Sequence, residues 1–388
     1  MYAHPERPNK LSEGSNDAAV RSTDVDALVS RCSASSLGYL DDKLASHFLA
    51  PSQRRSLERR PPLINIGTHA RTWAVDRLVD QFLQVGPHNQ KQQPQRQVLS
   101  LGAGTDSRFW RIAQRREQQG RDRAEPHEEV CARWVEVDFP EATAAKARAV
   151  STKPDLRKHL GTDIAIQRGG LGLSSSRYAL VPGDLRDLPA LAASLVGGIE
   201  PSRSDPDPPP PPPPSPPPLD PSLPTLLLLE CVLVYLNSET TENLLRWFCE
   251  TFTAPGTCIV AYDPFGLQDQ FGIVMRRNLA ARSLALPGAD STPTLEALTR
   301  RLAAAGAQGS VGAKSIKQIR DECIPRDELQ RVAKIEQIDE VEELNLVLEH
   351  YAVSWANVAP IAGANGPEGE GQEANRSGEM GLRNRDEA

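Results

Sequence analysis

Short apolar segments alternate along most of this chain with segments whose apolar residues recur at helical spacing. The segment Thr225–Leu229 is nearly all leucine, as expected of a central strand that is covered on both faces. The other predicted strands are 97–101, 133–137, 178–181, 257–262 and 351–358. The predicted helices are 24–36, 76–85, 106–116, 242–252, 295–305, 327–336 and 340–350. This alternation predicts an α/β fold with a mostly parallel sheet and helices on both faces.

The length and composition favour one elaborated domain. The chain has 388 residues, of which 39% are hydrophobic, and this is enough to bury one large core. We predict a single domain over residues 21–360, with disorder in 1–20 and in the polar tail 361–388. Two surface insertions are expected near 114–129 and 201–221. The second contains the tract Pro208–Pro218, broken only by Ser215, which predicts a polyproline II spacer.

Charge, cysteine usage and hydropathy exclude several classes of protein. The net charge of −7 gives no basic face for nucleic acid. The six cysteines form no C-x-x-C pair, which predicts reduced thiols and no metal site. No apolar run is long enough for a membrane span, and the polar first twenty residues lack a signal sequence. We therefore expect a monomeric cytoplasmic protein, with the nucleus as the alternative location.

Two glycines follow the first predicted strand, and an acid ends the second. In parallel sheets, ligands bind outside the carboxyl ends of the strands. Gly102 and Gly104 allow positive φ and a close approach of a ligand to the backbone, although a tight turn alone would also explain them. Asp138 ends the second strand, two residues after Glu136 and on the same face. Its carboxylate can accept hydrogen bonds from both ribose hydroxyls of an adenosine, and the alternative is an ordinary surface acid.

Acids also follow the third and fourth strands. Asp184 and Leu185 suit an adenine, by accepting from its amine and packing on its ring, whereas Asp187 is the better helix N-cap. Glu230 follows four leucines and should face a pocket, because a buried carboxylate needs a partner. Acids at four strand ends would repel a phosphate ligand. They favour S-adenosylmethionine, which carries a sulfonium and an ammonium, over NAD.

These motifs belong to an ordered set that resembles the leucine carboxyl methyltransferase family over roughly residues 20–358. The first block, 62–72, reads P-L-I-N-I-G-T-H-A-R-T, and the glycine block, 100–110, reads S-L-G-A-G-T-D-S-R-F-W. The others are E-V-D-F-P at 136–140, G-D-L-R-D at 183–187 and L-E-C-V-L-V-Y at 229–235. Residues 39–42 and 340–351 are also similar to the family.

The resemblance implies the Rossmann-like fold of a class I methyltransferase with extra N- and C-terminal helices. It implies methylation of the C-terminal leucine carboxylate of the protein phosphatase 2A catalytic subunit, by direct in-line transfer that gives a methyl ester. Arg71 and Tyr235 are the expected catalytic residues. The expected cofactor-binding residues are Arg31, Arg71, Gly102, Gly104, Asp138, Asp184, Leu185 and Glu230. One departure is Ile66, which stands where the family usually has a basic residue.

The implied reaction constrains the site. A C-terminal carboxyl has an ordinary pKa of roughly 3.5, so it is ionised at neutral pH and needs no general base. Catalysis must then come from position and electrostatics. We expect Arg71 to hold a carboxylate, of either the cofactor or the substrate, and Tyr235 to orient the substrate. The segment Asp263–Gly266 is the candidate wall of a pocket for the leucine side chain.

Three alternatives use other sequence features. A relative that methylates a carboxyl group on a modified transfer RNA base carries a long C-terminal repeat region, which is not expected here. A catalytically weak phosphatase-tail binding protein could recruit an SH3-type or WW-type partner through the proline tract, and Ile66 favours it. An NAD-dependent oxidoreductase would need the same glycine turn, but the third glycine of its motif is missing.

Overall fold

The computed structural model describes residues 13–55, 57–84, 95–121, 131–197, 217–358 and 380–385. Its strands are β1 (Arg96–Leu101), β2 (Cys131–Asp138), β3 (Ala165–Gln167), β4 (Gly172–Ser174), β5 (Tyr178–Pro182), β6 (Thr225–Glu230), β7 (Cys258–Pro264), β8 (Val311–Ser315) and β9 (Tyr351–Asn357). Its α-helices are α1 (Glu13–Leu37), α2 (Pro51–Arg55), α3 (Pro62–Gln84), α4 (Arg108–Arg121), α5 (Pro140–Thr152), α6 (Pro154–Arg157), α7 (Leu188–Val196), α8 (Ser238–Thr251), α9 (Gln270–Ala281), α10 (Leu295–Ala304), α11 (Ile316–Gln318), α12 (Arg326–Ala333) and α13 (Val341–Glu349).

These strands form one sheet in the order β3-β4-β5-β2-β1-β6-β7-β9-β8. The five strands from β5 to β7 are parallel, and their chain order of 3-2-1-4-5 is that of a doubly wound fold. β9 runs antiparallel to both β7 and β8. The predicted Rossmann-like methyltransferase fold is therefore confirmed. The direction of winding reverses between β1 and β6, so a ligand crevice is expected at their carboxyl ends.

The leucines of β6 show why the strand lies at the centre of the sheet. Leu226 and Leu228 pack in the hydrophobic core formed with α3, α4 and α5. Leu227 and Leu229 point to the opposite face and pack with α7, α8 and α10. Side chains of a strand alternate between faces, so only a strand with helices on both sides can bury all four. The expectation of a doubly covered strand is confirmed.

Helix α1 begins at Glu13, so the prediction of disorder over 1–20 is wrong for residues 13–20. Contacts with distant parts of the chain hold this end. The Oδ1 of Asn16 accepts a hydrogen bond from the backbone N–H of Ala285 at 2.9 Å, and Asp17 forms an ion pair with Arg186 at 2.8 Å. Residues 1–12 lie outside the described part of the chain.

Helix α3 begins at Pro62, fourteen residues before the predicted start at Asp76. Proline suits the first position of a helix, because the N–H that it lacks would have no partner there. Gly67 weakens the helical pattern of this first part. A Cβ on Gly67 would lie 3.6 Å from Cδ2 of Leu348 in α13, so the small residue lets the two helices pack closely.

Residues 380–385 pack against the core, which corrects the prediction of a disordered tail for this segment. The side chains of Met380 and Leu382 are buried in the α3 side of the core. Gln81 on α3 exchanges two hydrogen bonds with the backbone of Gly381, each of 3.0 Å. Composition favoured disorder, but two apolar side chains are enough to anchor a short segment. Residues 359–379 and 386–388 lie outside the described chain.

The double substitution Met380→Ala and Leu382→Ala should lower the free energy of unfolding by roughly 2–4 kcal/mol. The reason is that both side chains lose buried apolar contacts in the core. Urea denaturation followed by circular dichroism measures the change. As a control, alanine at Ile166 and Leu171, which are 53% and 40% exposed, should have little effect. Equal stabilities of the two double variants would show that the tail is not anchored.

The two predicted insertions lie mostly outside the described residues. Residues 114–121 continue helix α4, whereas 122–129 are not described. Most of the proline tract, 208–216, is not described either, so its predicted role in binding an SH3-type or WW-type partner stays a prediction. Across the residues that the structure describes, none of the helices has the length and apolar character needed to cross a membrane.

Candidate functional site

One cavity of about 320 Å³ lies at the carboxyl ends of β1, β2, β5 and β6, beneath helix α1. It occupies the point where the winding of the sheet reverses. All the residues assigned to the site from the sequence line it, namely Arg31, Arg71, Gly102, Gly104, Asp138, Asp184, Leu185, Glu230 and Tyr235. The expectation that they share one cavity is confirmed, and the roles assigned to them stay predictions.

The glycine turn brings the backbone to the floor of the cavity. Gly102 and Gly104 have φ values of +62° and +45°, which side chains rarely allow. The backbone N–H of Gly102 donates to the carbonyl of Val137 in β2 at 2.8 Å. A Cβ on Gly102 would come within 2.6 Å of Cγ2 of Val232. The turn therefore needs glycine both for its conformation and for the close approach of the loop after β6.

Asp138 lies beside this turn at the end of β2. Its Oδ2 accepts from the backbone N–H of Gly104 and its Oδ1 from that of Phe139, both at 2.7 Å. Burial raises the pKa of Asp138, and these two hydrogen bonds limit the rise. Each carboxylate oxygen keeps a further lone pair. Asp138 can therefore accept additional hydrogen bonds from ligand hydroxyls.

Glu136 shares the face of Asp138 on β2 but does not line the cavity. It is fully buried and contacts the amino group of Lys146 and the hydroxyl of Tyr178, which donates to it at 2.6 Å. Burial raises the pKa of Glu136 despite Lys146. Glu136 therefore lies in the buried interior next to the site and supports it, whereas Asp138 lines the cavity.

Asp184 and Leu185 form the cavity wall after β5. Asp184 accepts hydrogen bonds from the backbone and the guanidinium of Arg186, and Arg186 also pairs with Asp17 of α1. Burial alone would raise the pKa of Asp184, but Arg186 lowers it. Asp187 caps α7 through a 3.2 Å hydrogen bond from the N–H of Ala190. The predicted N-cap is confirmed.

Glu230, at the end of β6, lies between two guanidinium groups. Its Oε2 accepts from Nε of Arg71 at 2.7 Å, and its Oε1 lies 2.6 Å from Nη1 of Arg108. Burial alone would raise the pKa of Glu230, but Arg108 and Arg71 outweigh it and lower the pKa to about 2. The acids predicted at the strand ends do line the cavity, and the structure adds that Glu230 and Asp184 are each paired with arginine.

Arg71, on α3, is held on two sides. Its Nε donates to Glu230, and its guanidinium carbon lies 4.5 Å from the ring centroid of Tyr262. Tyr262 is in turn stacked on Tyr351, with 5.5 Å between ring centroids. The two terminal nitrogens of Arg71 have no hydrogen-bond partner in the described part of the chain. These nitrogens can therefore take a carboxylate in bidentate fashion.

Arg31, on α1, is the second predicted cation of the cavity. Its Nη1 lies 3.4 Å from Asp42, and its Nη2 lies 3.9 Å from Asp106, so neither contact is tight. Ile66, at the position usually basic in the family, is buried in the hydrophobic core and does not line the cavity. The structure thus accommodates an apolar residue there.

Tyr235 lines the cavity from the short 3₁₀ turn after β6. Its side chain packs against the buried cluster that contains Leu267 and Leu286, and its hydroxyl is within hydrogen-bonding reach of Thr23 on α1. Burial raises the pKa of Tyr235 above its ordinary value, so the hydroxyl keeps its proton. Tyr235 is therefore both a packed aromatic and a hydrogen-bonding group at the wall, and its role in orienting the substrate stays a prediction.

The sequence did not identify Asp24 as a site residue. This carboxylate on α1 lines the cavity and accepts from the N–H and the hydroxyl of Thr105, at 2.7 and 2.8 Å. It thereby fastens α1 to the glycine turn. No local signal marks it, because it lies about eighty residues before the turn and within an ordinary helical pattern.

The segment Asp263–Gly266, predicted as a wall of the leucine pocket, does not line the cavity. Asp263 instead lies buried behind it. Its Oδ1 accepts from the N–H of Val234 at 3.3 Å, and its Oδ2 lies 3.4 Å from Arg301. The acid therefore supports the turn that carries Tyr235. Whether other residues of this segment form a wall of the leucine pocket stays a prediction.

Asp263 should make the stability depend on pH. Burial raises its pKa from 3.8 to about 6, although Arg301 and the Val234 N–H oppose the rise. The folded state thus binds the proton more tightly than the unfolded state, so this contribution is complete below pH 4 and lost as the pH rises through 6. Relative to Asp263→Asn, the wild-type free energy of unfolding should fall by ~2 kcal/mol between these pH values. Urea denaturation at pH 4, 5, 6 and 7 measures the difference, and a constant difference would contradict it.

Charge distinguishes which ligands suit the cavity. Six carboxylates and four guanidinium groups line it, which leaves an excess of two negative charges. The carboxylates are Asp17, Asp24, Asp106, Asp138, Asp184 and Glu230, and the guanidinium groups are Arg21, Arg31, Arg71 and Arg186. A ligand with a net positive charge and one carboxylate would be attracted by the whole cavity and anchored at an arginine. A phosphate-rich ligand would be repelled.

Comparison with known proteins shows consistent similarities. Residues 19–201 match the family model described as Leucine carboxyl methyltransferase. The chain is 41% identical to Leucine carboxyl methyltransferase 1 of Cryptococcus neoformans var. neoformans serotype D over 374 residues, which cover 90% of this chain and 96% of that protein. It is 38% identical to the Aspergillus fumigatus protein of the same name, over 87% of this chain and 82% of that one. The Bos taurus protein is 31% identical, over 88% and 90%.

Proposed function

The chain belongs to the leucine carboxyl methyltransferase family, and we propose that it methylates the C-terminal leucine carboxylate of the protein phosphatase 2A catalytic subunit. The proposed methyl donor is S-adenosylmethionine. The observation that carries the proposal is Arg71, which lines a cavity with excess negative charge and whose two terminal nitrogens have no hydrogen-bond partner among the described residues. This arrangement suits a reaction in which a carboxylate must be held beside a cationic methyl donor.

The residues present fit this cofactor. Asp138 would accept from the ribose hydroxyls, and Asp184 with Leu185 would bind the adenine. The glycine turn lets the ligand approach the backbone, because Gly102 and Gly104 carry no side chain there. Arg31 or Arg71 would hold the carboxylate of the cofactor. The excess negative charge of the wall matches the net positive charge of the ligand.

The chain itself contributes position and electrostatics. When bound, the cofactor supplies a methyl group activated by its sulfonium. The carboxylate of the substrate is already ionised at neutral pH, so no residue has to remove a proton. Arg71 and Tyr235 would orient its oxygens, and Glu230 fixes the guanidinium of Arg71 before the substrate arrives. Helix α1 covers the cavity and limits the entry of water.

Mass spectrometry of the phosphatase tests this proposal. After incubation with the protein and S-adenosylmethionine, the C-terminal peptide should gain one methyl group, located at the terminal leucine. Because the product is an ester, mild base should remove the group and restore the original mass. Methylation at another residue would reject the substrate assignment. Binding of the phosphatase tail without any methylation would favour the binding-protein alternative.

Cofactor identity can be tested separately by thermal denaturation. A ligand that binds only the folded state raises its melting temperature, and the stabilisation grows with the logarithm of the ligand concentration divided by Kd. S-adenosylhomocysteine should raise the melting temperature of this protein, whereas NAD at the same concentration should not. The reverse result would favour the oxidoreductase alternative.

A further inference from the structure

Arg108, the first residue of α4, is fully buried and contacts three carboxylates at once. Its Nε donates to Asp76 at 2.7 Å, and its Nη1 pairs with both Asp106 and Glu230. Its Nη2 is buried and has no hydrogen-bond partner within the described chain. Arg108 lies in the glycine block of the sequence, but nothing in that pattern assigns it a role.

Arg108 does not line the cavity, yet two of its partners do. Glu230 and Asp106 are both part of the cavity wall. Glu230 therefore has a guanidinium on each side, with Arg71 facing the cavity and Arg108 behind it. Arg31 contributes a weaker positive potential from α1. The charge of Glu230 is thus shared between two close arginines.

The pairing of Glu230 with two arginines is important because Arg71 also has to bind a second carboxylate, that of a ligand. If Glu230 had Arg71 as its only close cation, the pair would neutralise each other, and Arg71 would attract another carboxylate less strongly. Arg108 also pairs with Asp76 and Asp106, so its positive charge is divided among three carboxylates, but it still gives Glu230 a second close cation and so reduces the share of the Arg71 charge that Glu230 neutralises. The low polarity of a buried site makes such charge differences large.

We infer that Arg108 is a positioning residue that compensates Glu230 from behind and so leaves Arg71 available to bind a carboxylate in the cavity. This inference rests on the proposed function, since the carboxylate belongs to the methyl donor or to the terminal leucine. Arg108 itself touches neither ligand. Its effect must therefore disappear when Glu230 carries no charge.

The test compares Arg108→Gln with Arg111→Gln as a matched control. Arg111 is also nearly buried and pairs with the same Asp76, but it contacts neither Glu230 nor Asp106. The affinity for S-adenosylhomocysteine is measured by calorimetry, and KM and kcat are measured for the phosphatase. Arg108→Gln should weaken the affinity or raise KM about tenfold or more. Arg111→Gln should leave both close to the wild-type values, even if both variants lose stability.

A double-mutant cycle with Glu230→Gln tests whether Arg108 acts through the charge of Glu230. Adding Arg108→Gln to Glu230→Gln should change the affinity and KM by less than about twofold, because a neutral amide needs no compensating charge. Arg108→Lys should recover part of the loss, and it replaces Arg108→Gln in the cycle if the glutamine variant does not fold. Additive effects, or an equal loss in Arg111→Gln, would overturn the inference. Absence of ligand binding in the wild-type protein would instead reject the proposed function.

Discussion

Replacing Arg71 with alanine should reduce the rate of methyl transfer about 100-fold or more while the protein stays folded. Loss of the group that positions a reacting carboxylate commonly has an effect of this size. Arg71 lines the cavity, and its two terminal nitrogens, which have no hydrogen-bond partner in the part of the chain that the structure describes, can bind a carboxylate in bidentate fashion. Initial rates with labelled S-adenosylmethionine, together with circular dichroism spectra of both proteins, measure the effect.

Arg77→Ala is the matched control for this prediction. Arg77 lies on the same helix but is exposed and does not line the cavity. Its removal should leave the rate within about twofold of the wild-type rate, as is usual for surface positions. Arg71→Lys should restore little activity, because one ammonium cannot hold Glu230 and a second carboxylate in the same geometry. Near-wild-type turnover of Arg71→Ala would reject the role of this residue.

Replacing Glu230 with alanine should lower the free energy of unfolding by about 3–5 kcal/mol and abolish activity. The substitution leaves Arg71 and Arg108 without the carboxylate that lies between them, and a buried charge that loses its partner is costly. Urea denaturation at pH 7 measures the stability. Glu230→Gln should be less destabilising, because the amide oxygen can still accept one hydrogen bond.

Asp184→Ala provides the control for Glu230. Asp184 also lines the cavity and also pairs with an arginine, but both partners are about two-fifths exposed. Exposed ion pairs contribute little, so this substitution should cost less than about 1 kcal/mol. If the two alanine variants have the same stability, the buried ionic network does not support the site as described.

The sequence was most informative where a residue's position follows from chain direction alone. The carboxyl ends of parallel strands meet at one edge of a sheet, so Gly102, Asp138, Asp184 and Glu230 were expected to lie together once their strands were recognised. The local pattern also located Arg71 through the resemblance to a family motif. Neither argument required knowledge of side-chain packing.

Partners contributed by helices could not be predicted in this way. Whether Arg108 or Asp24 reaches the site depends on how α4 and α1 are rotated and packed against the sheet. For the same reason the sequence could not show that Glu230 is paired with two arginines, Arg71 and Arg108. A buried carboxylate behind four leucines implies a partner, but it does not identify which cation supplies it.

Some elements escaped prediction because their sequences lack the expected periodicity. Helix α5 is rich in alanine, and only a few larger side chains mark its buried face. Strand β8 contains Gly312, which leaves room for the ring of Trp355, and of its five residues only Ser315 is buried. Both elements are fixed by neighbours that are distant in the sequence, so local propensity is a weak guide to them.

The most direct test of the account is methyl transfer from labelled S-adenosylmethionine to the phosphatase catalytic subunit with and without its terminal leucine. We predict incorporation of label into the intact subunit, release of that label by mild base, and no incorporation after the leucine is removed. Arg71→Ala should label the intact subunit at about one-hundredth of the wild-type rate or less, and the truncated subunit not at all. Equal labelling of both substrates, or no labelling by a wild-type protein that binds S-adenosylhomocysteine, would contradict the account.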